Sequence, residues 1–90
     1  MNSMAKKGKN LEFTFDEARE LWVIKSKSND EVIVKFVTSN DHKSGWCIQS
    51  DDNLKLWKAY TRDYFQELQD LTNYALRVLE AWTNHEGKAV

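Results

Sequence analysis

The chain has 90 residues, 41% hydrophobic, 30% charged and 12% aromatic, with a formal net charge of −1. That length makes one domain, large enough to bury a core without metal or disulfides. The balanced charge argues against a strongly basic nucleic-acid binder and against an acidic nucleic-acid mimic, and Cys47, the only cysteine, rules out an intrachain disulfide.

Met1 to Asn10 carries Lys6, Lys7 and Lys9 with no apolar run behind them. It is expected to be a disordered basic arm, neither a signal peptide nor a membrane span, and a cytoplasmic protein is the default. Leu11 to Phe15 alternates, with Leu11, Phe13 and Phe15 on one side and Glu12 and Thr14 on the other, as a half-buried strand does. Asp16 to Arg19 is the turn. Glu20 to Lys27 follows as a second strand, with Trp22 and Ile24 facing in and Leu21, Val23, Lys25 and Lys27 facing out. Thr14-Phe15-Asp16-Glu17 also fits a capping box, so a short helix over 16–24 is the alternative, giving a β-α-β-β-α order.

Ser28-Asn29-Asp30-Glu31 has turn composition. Glu31 to Thr38 is a third strand, with Val32, Val34 and Phe36 on one face and Ile33, Lys35 and Val37 on the other. A polar loop over Ser39 to Gly45 leads to a last strand at Gly45 to Ser50, with Trp46 and Ile48 inward and Cys47 and Gln49 outward. Asp51 or Asp52 then caps a long helix and complements its dipole.

Asn53 to Thr83 contains no Gly and no Pro, and the helix is expected to end around Asn84 to Gly87. Trp57, Thr61, Tyr64, Leu68, Leu71, Ala75, Val78 and Trp82 recur at steps of three and four, the seam of one helix face. The predicted class is therefore α+β: a four-stranded antiparallel meander followed by one long C-terminal helix packed on one face. Residues 11–87 make a single domain.

Two surfaces look too apolar for this arrangement. The helix's apolar arc covers about 200° at 100° per residue, more than packing on one sheet requires. Thirty-one residues would also run about 46 Å, past a four-stranded sheet only about 19 Å wide. The overhang would carry Leu76, Leu79 and Trp82. On the sheet's outer face Leu21, Val23, Ile33, Val37 and Cys47 lie among Lys25, Lys27 and Lys35. Contiguous apolar patches of this kind mark partner surfaces. A break near Thr61–Asp63 or Thr72, with the helix folding back on itself, would be the other way to cover them. Charge is ordered along the helix, with Lys55, Lys58 and Arg62 before Asp63, Glu67 and Asp70, which suits antiparallel pairing of two copies.

No residue pattern points to catalysis or a cofactor. Gly8, Gly45 and Gly87 are isolated, so no phosphate-cradling loop is present. His42, Cys47 and His85 lack metal-ligand spacing. Asp41, His42, Ser44 and Cys47 share one loop, but a nucleophile set needs its members brought together from separated segments. The leading expectation is a small non-enzymatic protein-binding module: a homodimer, or an inhibitor, adaptor or immunity-type protein that occludes a partner. Leu21, Val23, Ile33, Val37, Leu76, Leu79 and Trp82 are its candidate contacts. No small-molecule substrate, cofactor or metal is implied. The size and aromatic content match the profile of immunity proteins and phage-encoded inhibitors, and the composition (no Pro, many Lys and Asn) matches an AT-rich genome. The alternative is single-stranded nucleic-acid binding through the sheet, with Lys25, Lys27 and Lys35 tracking phosphates. Four antiparallel strands and a helix resemble, in outline, the PC4-like single-stranded DNA-binding proteins. Those outward positions carry no aromatic platform for stacking bases unless a one-residue slip reverses the register.

Overall fold

The structure, a computed structural model, describes residues 6–39 and 42–89, with side chains described through residue 81 except over 38–44. The elements are β1 (Lys6–Lys7), β2 (Leu11–Asp16), β3 (Leu21–Ser26), β4 (Val32–Ser39), β5 (His42–Cys47), α1 (Asp51–Asp63) and α2 (Phe65–Ala89). The strands form one antiparallel sheet in the order β1-β2-β3-β4-β5, with both helices after it. The fold is α+β, as the alternation predicts. Residues 21–26 are strand, so the helix alternative over 16–24 is not adopted. The β-branched and aromatic run Leu21-Trp22-Val23-Ile24 outweighs the local capping signal, because a strand there gives both β2 and β4 a partner.

Cross-strand pairs Phe13↔Ile24, Ile24↔Val34, Trp22↔Phe36 and Phe36↔Trp46 put the alternating apolar residues on one face. Leu11, Phe13, Ile24, Val34 and Phe36 are fully buried there against Leu68, Leu71, Ala75 and Leu79 of α2. Phe13 sits at the centre, stacked on Trp22 at 4.9 Å and edge-on to Phe36 and to Tyr74 at 5.6 and 6.1 Å.

The turns use two residues in the left-handed region, Glu20 (φ 55°) and Asp30 (φ 61°). Asp16 accepts the Arg19 N–H at 3.2 Å, and Asn29 accepts the Glu31 N–H at 3.2 Å, so each loop is closed by its own side chains. Gly45 lies inside β5 rather than in a loop, and it has no positive φ.

Between Ile24 and Lys25 the β3–β4 register shifts: Ile24 faces Val34, but Lys25 faces Val32. Ile33 is the extra residue of a β-bulge, and the bulge changes which face it serves. Ile33 is fully buried in the core, and Val32 takes its place opposite Lys25. The expectation that Ile33 points outward is thereby corrected.

The helix breaks at Tyr64 (φ −133°, ψ 42°), one residue beyond the Thr61–Asp63 stretch. The joint is a single residue, whereas a helical hairpin takes a loop of about 2–5 residues. Tyr64 N–H still donates to the Tyr60 carbonyl at 2.7 Å, and Leu68 N–H to the Tyr64 carbonyl at 2.9 Å. The break gives each half its own floor: α1 lies on β4, and α2 crosses β5, β2 and β4. The N-cap is Ser50, whose Oγ accepts the Asn53 N–H at 3.2 Å, with Asp51 and Asp52 in the first turn instead of at the cap. Asn53 also donates from its side chain to the Val32 carbonyl at 2.6 Å, fixing α1 to the sheet. α2 continues past Gly87 to Ala89. Its 25 residues run about 37 Å in a molecule 41 Å along its longest axis.

Candidate functional site

An apolar concavity lies where α1, α2 and the edge strand β5 meet. It is a groove of about 280 Å³ lined by Trp46 from β5, Trp57 and Thr61 from α1, and Phe65, Leu68, Gln69, Thr72, Asn73 and Leu76 from α2. None of these nine residues is charged. Its position follows from the helix break. Trp57 and Leu68 reach the core from different helices, and the wedge between them stays open over the end of the sheet.

Trp46 stacks on Trp57 with ring centres 5.2 Å apart and planes 20° apart, yet is 43% exposed at β5, the last strand of the sheet among the described residues. Phe65, the first residue of α2, is 54% exposed at the rim. Leu76 is half-buried at the other end. Two hydroxyls in the wall, Thr61 Oγ1 and Thr72 Oγ1, are buried with no hydrogen-bond partner among the described residues. An unmade bond of that kind costs about 1–3 kcal/mol. The groove thus combines exposed aromatic area with a neutral lining.

The other predicted contact residues scatter. Leu79 is fully buried, correcting its place on an exposed overhang: it comes four residues after Ala75, on the stripe of α2 that faces the sheet. Leu76, one position off that stripe, is the one that reaches the groove. Trp82 lies on α2, and its side chain is outside those described. Val23, on the outer sheet face, is only 2% exposed, flanked across the strands by Thr14 and Lys35. Leu21 is half-buried. Val37 is 40% exposed, since Gly45 opposite it offers no side chain. With Ile33 turned inward and Val23 covered, the outer face is less apolar than the alternation implies.

The lysines are engaged. Lys25 Nζ lies 2.7 Å from Asp30 Oδ1 and 3.7 Å from Glu12 Oε1. The Asp30 hydrogen bond, aided by the charges of Asp30, Glu12 and Asp16, raises the Lys25 pKa above its ordinary value, against a smaller burial effect. Lys27 Nζ donates to the Gly8 carbonyl at 3.2 Å, and Lys35 Nζ to Gln49 Oε1 at 2.9 Å. A wider concavity of about 510 Å³ on this face is lined by Asp16, Glu17, Arg19, Lys25 and Asp30 around Val23. Mixed charges leave it little net attraction for phosphate.

Of the arm at residues 1–10, Lys6–Lys7 forms β1 against Glu12 and Phe13, and Lys6 Nζ sits 4.8 Å from the Tyr74 ring centre. Glu67 of α2 holds this segment. Its carboxylate accepts the Asn10 N–H at 2.7 Å, the Asn10 side-chain amide at 3.2 Å and the Leu11 N–H. Gly8 is required by the close approach, because a Cβ there would lie 2.8 Å from Glu67 Oε2 and 3.0 Å from the Leu11 carbonyl oxygen. A contact between residues 57 apart leaves no local trace in the sequence.

Among the described residues no group of three or more His, Cys, Asp or Glu could hold a metal ion, and no helix is long and apolar enough to cross a membrane. Compared with family models, characterised proteins and solved structures, the chain matches none.

Sequence reasoning singled out Trp57 and Leu76 as apolar helix positions. It missed Phe65 as a surface residue, because Phe65 lies off the seam that runs from Tyr64 to Leu68. Trp46 was placed on the correct face, but not at the open edge of the sheet. The signal that could have found them is the adjacency of a strand-end Trp to a helix whose apolar arc is too wide.

Proposed function

We propose that this chain is a small, non-catalytic protein-binding module that lays the face around Trp46, Phe65 and Leu76 against another protein chain. It would act as a homodimer, or by occluding a partner as an inhibitor or adaptor does. One observation carries the reading: two aromatic side chains stand about half exposed around a groove with no charged lining. Interface energy concentrates on such aromatic anchors, with the polar rim contributing less. At about 280 Å³ the groove is below the roughly 300–1,000 Å³ of sites for drug-sized ligands. It is sized for one or two side chains from a partner.

Placing a photo-activatable phenylalanine analogue at position 65 in cells producing the chain tests this. The reading expects a discrete crosslinked adduct, competed away by excess unmodified protein. The same analogue at Glu17, on the exposed β2–β3 turn, is expected to give none. Equal, diffuse labelling from both positions, or none from 65, would refute it.

A further inference from the structure

A second concavity, sharing no residue with the groove, has the opposite chemistry. Three segments meet at it. The β1–β2 turn brings Lys9 and Asn10, the end of β3 and its turn bring Ser26, Lys27 and Ser28, and the helix joint brings Tyr60 and Tyr64. We propose that this concavity binds one phosphate group, free or carried as a monoester.

Charge gives the first reason. No carboxylate lines the concavity among the described residues, although the whole chain carries a net charge of −1. Lys25 on the outer sheet face is held by Asp30 and Glu12, whereas Lys9 and Lys27 form no ion pair among the described residues. Two lysine charges match the charge of about −1.5 to −2 on a phosphate monoester at neutral pH. A carboxylate would leave one of them unmatched.

The donors are also held in place. Lys27 N–H donates to the Asn10 carbonyl at 3.0 Å, and Lys27 Nζ to the Gly8 carbonyl at 3.2 Å. The two lysine-bearing turns are therefore tied together before any ligand arrives, and the Lys27 ammonium keeps two further donors. Ser26 is 2% exposed; its Oγ accepts the Ser28 N–H at 3.3 Å and lies 3.1 Å from Ser28 Oγ. One hydroxyl proton is used between the two serines, and the other has no acceptor among the described residues. Whichever serine keeps it, a spare donor remains on a residue lining the concavity. At about 210 Å³ the space is below the roughly 300–1,000 Å³ of sites for drug-sized ligands. It takes the phosphate and leaves the rest of an ester outside, beside the Tyr64 ring, which is 38% exposed.

The test is an amide nuclear magnetic resonance titration of the full chain with potassium phosphate, against potassium acetate and chloride at matched ionic strength. Phosphate is predicted to give saturating shifts at Gly8, Lys9, Asn10, Lys27 and Ser28, and the other two salts none that saturate. Lys9→Gln and Lys27→Gln, both at exposed positions and expected to leave the circular dichroism spectrum unchanged, should each weaken binding by up to about fivefold, and together roughly tenfold. Lys27→Arg, which keeps the charge, should retain it. Lys35→Gln, at a lysine bonded to Gln49, should change nothing. Adenosine monophosphate separates the two sources. Tighter binding with shifts of the Tyr64 ring identifies a monoester as the ligand; equal or weaker binding identifies free phosphate. Phosphate shifts that never saturate, saturation by acetate as well, or an affinity unmoved by the double substitution would overturn the inference. So would binding of a single-stranded oligonucleotide alone, with shifts centred on Lys25 and Lys35.

Discussion

Glu67→Ala is predicted to be the most damaging substitution of a charged residue in this protein. The carboxylate accepts three hydrogen bonds, two from backbone N–H groups and one from the Asn10 amide. It lies between the β1–β2 turn and the first turn of α2, where it also complements the helix dipole. Hydrogen bonds to a charged group contribute about 1.5–3 kcal/mol each, and a buried N–H left without a partner costs about 1–3 kcal/mol. Leu11 is fully buried, so its N–H is poorly placed to bond water instead. Solvent reaches the Asn10 side of the site, so the contributions do not sum in full, and a loss of about 2–4 kcal/mol is expected. Since 1 kcal/mol moves the melting point of a domain this size by about 4–8 °C, the variant should melt roughly 8–32 °C lower. Urea denaturation followed by circular dichroism measures the change directly. Amide exchange should show β1 opening in the variant. Glu67→Gln, which keeps the shape and one acceptor oxygen, should lose about half as much. A change under about 0.5 kcal/mol, the range of ordinary surface substitutions, would refute the view that this carboxylate locks the N-terminal strand to α2.

Gly8→Ala should destabilise through the same contact, by about 1–3 kcal/mol, because its Cβ would meet Glu67 Oε2 at 2.8 Å; melting curves of Gly8→Ala with and without Glu67→Ala should show the two effects to be non-additive. Ile33→Ala should cost about 2–5 kcal/mol by denaturation if the bulge buries Ile33, and under about 0.5 kcal/mol if it faced solvent. Glu20→Gly should be stabilising by up to about 1 kcal/mol, since φ is 55° there and a Cβ disfavours that region; a melting point lowered by several degrees would count against the turn geometry. The Lys25–Asp30 pair should couple by about 0–1 kcal/mol in a double-mutant cycle at neutral pH. The folded-state pKa of Lys25 is raised, so this contribution is fully present below the unfolded lysine value of about 10.4 and disappears as pH climbs through the higher folded value. Coupling that grew at alkaline pH would contradict the pairing.

Local alternation carried much of the fold. Leu11 and Phe13, Trp22 and Ile24, Val34 and Phe36 form the inner face as their period of two implies, and Leu68, Leu71 and Ala75 meet them at helical spacing. What stayed hidden was set by non-local geometry. The bulge at Ile33 has no Gly to mark it, and it appears only when β4 must match β3 on one side of a register step. The break at Tyr64 likewise has no Gly or Pro; it lets Trp57 and Leu68 reach one core from two directions. The strand role of Lys6–Lys7 depends on Glu67, which reads in sequence as one more charge on a helix surface. The groove was half legible. Excess apolar area on the helix was visible, but its location depended on where the helix bends and on β5 being the sheet's edge.

The central claim is the proposal that the face around Phe65, and not the outer face of the sheet, is where this chain meets another protein chain. A photo-activatable phenylalanine analogue placed in turn at Trp46, Phe65 and Leu76, and at Lys25, Lys35 and Val37, in cells producing the chain tests it position by position. The account predicts discrete adducts, with a second copy or with a foreign chain, from the first three positions and none from the last three. Adducts centred on Lys25, Lys35 and Val37, or none from any position, would contradict it.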